Sequence, residues 1–444
     1  ALNITGTLVA NSGSIWQGSL DLTSGTFEAS GGSINLNNII TGSNTDFKLS
    51  SNTEISSSNE ITFGTLELGG NKLSLAEGSS GLTLPNTLVM SNSGSTIETK
   101  SSNLTLSSAP QLDSGSLTST GGILSFDGGL TLGSGGALDV TGSTLSVNET
   151  LDLSAGIFSS STSSVLKLQA PTTLSSSNPV SFGNVNFEGN VLTLGSSSTH
   201  LKITDTPLSL GGIPLETGPG SLTLSGALSL SNQEKINSSG GSITLESGGS
   251  VAGGSTLSLP NTTLVLQSPL SIASSTLKAS NTTFTTNSNA LTLSGSTLLD
   301  IAGTQNLSGV VPDSTSILRL TGDSTVNDSS VLSVYSLELE DFALTLDDAM
   351  AGLSVSQAVT LDASTEKINS GAADLTLNSG ITVSAGMLSS SGGTLAASSL
   401  SLGAAGTINI EGGTLTLPAG ATAVSGATFT TSATTIQLGG NLNL

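Results

Sequence analysis

The chain has 444 residues, 55 of them glycine, with serine and threonine abundant, 9% of residues charged and 3% aromatic, which is the composition neither of an ordinary enzyme nor of a charged disordered tail. Nine basic against 31 acidic side chains give a net charge of −22, and Arg319 is the only arginine, so phosphate-directed binding of nucleic acid is excluded and anionic membranes are disfavoured. There is no cysteine for a disulfide or thiolate metal site, and no apolar run approaches the roughly 18 residues of a transmembrane helix.

Taken in chain order, Leu2, Ile4, Leu8 and Val9 enter a strand beat at once, and the next fifty residues keep it at about seven residues per strand. Leu20 and Leu22, Phe27, Ile34 and Leu36, Phe47 and Leu49, Ile55, then Ile61 and Phe63 are successive inward positions. Between them lie TSG, SGG, GSN and SSN, which read as corners because Gly and Asn tolerate positive φ and Ser or Asn side chains bond the turn's backbone.

From Phe63 a longer echo begins. Phe63–Leu84 aligns with Phe182–Ile203 and, more loosely, with Val334–Val355, so that Leu66, Leu68, Leu73 and Leu75 match Val185, Phe187, Leu192 and Leu194, then Leu337, Leu339, Leu344 and Leu346. These block repeats begin near residues 63, 182 and 334, and EKINS recurs verbatim at Glu234–Ser238 and Glu366–Ser370. The chain grows by duplicating coils and blocks of coils.

The strongest periodicity runs from Leu194 to Leu293. Leu201, Leu222, Ile243 and Leu264 lie 21 residues apart, and Ile203, Leu224, Leu245 and Leu266 repeat the spacing two positions later. A second track is Leu194, Leu215, Ile236 and Leu257; a third is Leu230, Val251, Ile272 and Leu293. Three apolar strands per period predict an all-β fold: one continuous, three-sided parallel β-helix, or β-solenoid, over residues 1–444, with about 20 coils of about 21 residues. At about 4.8 Å per coil such a shaft is on the order of 100 Å long.

Helix signals are nearly absent: Asp347–Gln357 is the best candidate, and the alternation resumed at Leu353 and Val355 makes it a strand or short excursion. Pro85, Pro110, Pro171, Pro207, Pro214 and Pro260 fall in corners, where a missing N–H is tolerated. The beat continues through Leu400, Ile408, Leu415, Phe429, Ile436 and Leu438, and stops at Leu442 and Leu444 in mid-pattern.

The search for chemistry assigns no catalytic, cofactor-binding or metal residue and no cofactor. His200 is the only histidine and reads as surface decoration. Glu338, Glu340, Asp341, Asp347 and Asp348 form the densest acidic cluster; Glu338 and Glu340 alternate with Leu337 and Leu339 and read as a solvated strand face, since the GGxGxD repeats of calcium-binding β-rolls are missing and GGALD at Gly135–Asp139 is a single lookalike. Trp16 and Tyr335 are the only Trp and Tyr, and Arg319 lies between Leu318 and Leu320 without a nearby basic partner, so the carbohydrate-active β-helix enzymes are a poor match. The eight N-x-S/T sequons, among them Asn103, Asn148, Asn261 and Asn281, are what chance supplies in so Asn- and Ser-rich a chain.

The coil length, Leu-x-Leu beats and Gly, Ser and Asn corners resemble the parallel β-helix of bacterial surface and secreted proteins such as filamentous-haemagglutinin-type adhesins and autotransporter passengers. The likeness is architectural: the NPNL and NPNG motifs of two-partner secretion are missing, Asn178-Pro179 being the only Asn-Pro. It implies a structural, non-enzymatic, extracellular or cell-surface protein: a stiff adhesive rod, or the subunit of an end-to-end filament whose uncapped terminal coils join head to tail, meeting glycan or neighbouring rods and inserting in no membrane. The chain opens at Ala1 without a basic, apolar leader, as expected of a secreted protein whose signal peptide has been removed. The alternative is an ice- or glycan-binding solenoid using outward Thr and Ser ladders.

Overall fold

A Leu-Thr-Leu triplet in extended conformation sends both leucines to one side and the threonine to the other. At Leu82–Leu84 the leucines are buried and the threonine is partly exposed, and the same division holds at Leu104–Leu106 and Leu192–Leu194. One such strand cannot bury its apolar face alone, so it stacks in register on its counterpart in the next coil: Leu82, Thr83 and Leu84 pair with Leu104, Thr105 and Leu106. The computed structural model that shows this describes residues 2–14, 19–86, 88, 90, 92–205, 207, 208 and 210–443; Trp16 and Leu444 lie outside them. The chain is about 20 turns of parallel β-solenoid spaced about 21 residues apart, with no helix among the described residues.

The three block repeats fold alike. Each contributes three short strands: Thr65–Glu67, Lys72–Leu75 and Leu82–Leu84; then Asn184–Asn186, Leu192–Leu194 and His200–Ile203; then Ser336–Glu338, Ala343–Leu346 and Gly352–Val355. The first corner of each needs two successive left-handed residues, supplied by Gly69 and Gly70 (φ 59° and 87°), Glu188 and Gly189 (45° and 81°), and Glu340 and Asp341 (51° and 70°). An N–H closes each corner onto the carbonyl three residues back: Asn71 on Leu68 at 2.9 Å, Asn190 on Phe187 at 2.7 Å, and Phe342 on Leu339 at 2.9 Å. Two consecutive positive φ values with this bond make a type I′ turn, which suits glycine and strains the Cβ-bearing Glu340 and Asp341.

The residues fall into two compact units, Ala1–Ser225 and Gly226–Leu444. In the first, one ladder climbs from Ile61–Thr62 through Leu82–Leu84, Leu104–Leu106, Ile123–Phe126, Thr144–Val147 and Val165–Leu168 to Asn184–Asn186. Phe27, Phe47 and Phe63 fill its early interior, with ring centroids 5.3 Å apart between Phe27 and Phe47 and 4.5 Å between Phe47 and Phe63. In the second, three parallel ladders enclose the core from Val331 onward, starting at Val331–Val334, Ala343–Leu346 and Val359–Leu361 and carried coil by coil to Thr435–Leu438, Thr428–Ser432 and Leu442–Asn443. Asp347–Gln357 contains a turn and the strand Gly352–Val355.

The apolar tracks hold within each unit with one correction. Leu201 pairs with Leu222 and Ile203 with Leu224; Ile243 pairs with Leu264, Ile236 with Leu257, and Leu230, Val251, Ile272 and Leu293 form one column. Leu215, however, lies opposite Leu192 and not Leu194. The corner Gly195–Thr199 holds more residues than the corner Pro219–Gly220 of the next coil, which displaces the preceding strands by two while leaving Leu201 over Leu222. Three coil pairs also depart from short separate strands: Leu20–Ala29 with Ile39–Leu49, Gln111–Ser119 with Leu130–Asp139, and Leu298–Asn306 with Ile317–Asn327 run around a bend as single long strands. Each pair carries a register shift at the bend, where a bulge turns the strand without breaking it.

Candidate functional site

The last of these bends carries a column of polar and charged side chains on the solenoid wall. Ser258, Lys278, Asp300, Arg319 and Glu338 occupy one outward column, each paired in register with the next. Just beyond it the strand turns at Ala302–Gly303, where Gly303 has φ 70° and a Cβ would sit 2.1 Å from Oδ1 of Asn281. The left-handed φ favours glycine there, and the outer face beside the bend is concave. Asp300 is accordingly 2% exposed although it points away from the core. Nε and Nη2 of Arg319 donate to its two carboxylate oxygens at 2.9 Å each, a bidentate fork laid across from the next coil. That hydrogen bond, followed by the nearby Asp300 charge, raises the Arg319 pKa further.

Beside this pair opens a pocket of about 220 Å³, lined by Ser258, Pro260, Lys278, Ala279, Ser280, Asp300 and Thr321. Lys278 is exposed and makes no ion pair among the described residues. The Thr321 hydroxyl donates to the Ile301 carbonyl at 3.2 Å and keeps its acceptor capacity. Arg319 and Lys278 are visible in the sequence; their relation to Asp300 is not, although the three charges sit at matching places in the strand sequences TLKAS, LLDIA and ILRLT.

The acidic cluster is dispersed. Glu338 is half-buried beside Arg319, Glu340 and Asp341 occupy the left-handed corner, and Asp347 and Asp348 accept backbone N–H groups from Ala349 (2.9 Å) and Ala372 (3.0 Å). Leu337 and Leu339 are buried while Glu338 and Glu340 are not, as the alternation predicts, although the strand itself ends at Glu338, and Glu340 stands in the turn. Asp139 of the GGALD lookalike accepts the N–H and hydroxyl of Thr141 at 3.0 and 2.6 Å. Among the described residues no group of three or more His, Cys, Asp or Glu is placed to hold a metal ion. His200 is partly buried with Nε2 2.8 Å from the Thr223 hydroxyl; burial, then the charge of Lys202, lowers its pKa. Tyr335 is 42% exposed.

A second outward column, in the first unit, alternates hydroxyl and carboxylate: Ser33, Glu54, Ser74, Glu98 and Thr118 stand in register. Lys100 reaches Glu54 and Lys72 reaches Glu98, both at 2.7 Å, and these bonds are the largest cause of the lowered pKa of each glutamate. All four charges are therefore committed to one another.

Sequence reasoning missed an interior set of polar groups at the corners. Ser164 takes the N–H of Ser161 at 2.9 Å and donates to the Val140 carbonyl at 2.8 Å, and the Ser143 hydroxyl donates to Ser119 at 2.8 Å. The two EKINS copies place a carboxylate at the equivalent corner: Glu234 accepts the N–H of Ser231 at 2.8 Å, and Glu366 those of Asp362 and Ala363 at 2.6 and 3.1 Å. The verbatim repetition was the available signal.

No family model, curated protein or solved structure matches the chain.

Proposed function

We propose that this chain is a structural, non-enzymatic solenoid of the extracellular space or cell surface, serving as a stiff adhesive shaft that joins end to end with further copies. The reading rests on one observation above others: like residues stack on like through successive coils, as with Leu230, Val251, Ile272 and Leu293, while the alternate positions that face outward are mostly small hydroxyl side chains. Such a wall gains stability from every added coil and presents water with a mostly polar surface, the properties required of a shaft. The axial partner is a second copy. In this proposal a strand edge of one copy takes up a strand of the next, and such a head-to-tail contact is open and propagates as a filament. The charge of −22 disfavours lateral clumping.

Solution scattering and mass measurement on the 444-residue chain test both parts. A maximum dimension on the order of 100 Å per chain, with mass rising in whole-chain steps as concentration increases, is expected. Scattering from an ordinary compact globule defeats the shaft, and a strictly monomeric species at high concentration defeats the axial contact. Thermal hysteresis in the same sample would replace this reading with that of an ice-binding surface.

A further inference from the structure

We infer that the pocket beside Asp300 is a binding subsite for one neutral pyranose ring, recognised through its hydroxyl groups. Three features carry the inference, and none depends on the shaft reading. The first is unspent hydrogen-bonding capacity. Lys278, Ser258 and Ser280 line the pocket and their side chains have no hydrogen-bond or ion-pair partner among the described residues, while the Asp300 carboxylate, which accepts one bond per oxygen from Arg319, retains a further lone pair on each. An ammonium that only donates, a carboxylate that only accepts and hydroxyls that do both are complementary to the donor and acceptor pattern of adjacent sugar hydroxyls.

The second feature is charge. Along the column Lys278, Asp300, Arg319 and Glu338 the signs alternate and sum to zero. An anion entering the pocket meets the buried Asp300, and a cation meets the unpaired Lys278; a neutral polyol meets complementary partners at both. Asp300 is also held rigidly by the bidentate fork, so little conformational freedom remains to be lost when a ligand bonds to it. The third feature is size. About 220 Å³ is below the roughly 300–1,000 Å³ of pockets for drug-sized ligands. It suits a single ring, whose C–H face would lie on Pro260.

The experiment is titration of the full chain with the methyl glycosides of glucose, galactose and mannose, and separately with glucuronate, followed by calorimetry or saturation-transfer NMR. Saturable binding of at least one neutral glycoside, with Kd in the millimolar range, is expected. Lys278→Ala should weaken it about tenfold, the loss of one hydrogen bond to a charged donor. Lys278 is exposed, so this variant should melt with wild type; Ser280→Ala provides a second, independent variant and should weaken binding about threefold or more. Failure of all three glycosides to saturate, binding of glucuronate alone, or equal affinity in wild type and both variants would each overturn the assignment.

Discussion

The two halves of the chain treat buried polarity differently. Among the described residues up to Ser225 the buried polar side chains are all serines and threonines, such as Thr45, Ser119, Ser164 and Thr199, and the charges stay outside in pairs such as Lys48–Glu67 at 3.0 Å and Lys72–Glu98 at 2.7 Å. From Gly226 on, four carboxylates are taken below the surface: Glu234, Asp300, Asp328 and Glu366, at 4%, 2%, 1% and 7% exposure. A buried hydroxyl costs less than a buried charge, and at a corner such as that of Ser164 it finds both an N–H and a carbonyl. A carboxylate only accepts and carries a charge, so it persists inside only where donors converge: backbone N–H groups at Glu234 and Glu366, and a guanidinium at Asp300. Asp328 is the exception. Its Oδ1 accepts the N–H and hydroxyl of Ser330 at 2.9 and 3.0 Å, but Oδ2 has no partner.

The contrast breaks hardest at Arg319. Replacing it with alanine strands the Asp300 charge in its concave seat and should cost about 3–5 kcal/mol in denaturant unfolding. The double variant Arg319→Met/Asp300→Leu should recover most of that, because it removes the charge together with its partner. A single-variant loss below about 1 kcal/mol would place Asp300 with the exposed pairs of the first half.

Next comes the comparison of corner plugs. Glu366→Ala leaves two backbone N–H groups without their acceptor and should cost about 2–3 kcal/mol, against about 1 kcal/mol for Ser164→Ala in the first half. Equal losses would mean that the carboxylate plug is no stronger than the hydroxyl it stands in for. Asp328→Ser should move stability by less than about 1 kcal/mol and in the stabilising direction, since an unpaired buried oxygen is removed while a hydroxyl is retained.

The strand pattern was legible because it is local. A Leu-x-Leu beat needs only the two-residue period of an extended chain, and the 21-residue tracks follow from one coil stacking on the next; thus Leu230, Val251, Ile272 and Leu293 were placed from spacing alone. Leu194 was misplaced because register is set by corner length, and Gly195–Thr199 and Pro219–Gly220 take the chain around equivalent corners with different numbers of residues. The pocket was hidden for a related reason. Asp300 lies in an outward phase, and alternation assigns it to solvent; its burial depends on a bend at Gly303 and on a side chain arriving from the next coil, and neither is a property of the strand that carries it.

The smallest expected effect separates the halves by pH. His200, in the first half, has its pKa lowered from 6.5, mainly because burial disfavours the imidazolium and secondarily because of the Lys202 charge. The unfolded chain therefore takes up a proton more readily than the folded one as pH falls. The stability associated with neutral His200 is complete above the unfolded pKa of about 6.5, declines as pH drops from there toward the lowered folded value, and is flat below it. His200→Gln keeps a hydrogen-bonding side chain beside Thr223 and cannot titrate, so its Tm should fall less than that of wild type between about pH 7 and pH 5.5, a window above most carboxylate titration. The shift should be a degree or two at most, because the ring is only partly buried and solvent meets much of the charge. Parallel wild-type and His200→Gln curves would show that the imidazole is protonated as easily in the folded chain as in the unfolded one, and its contact with Thr223 would then be that of an ordinary surface side chain.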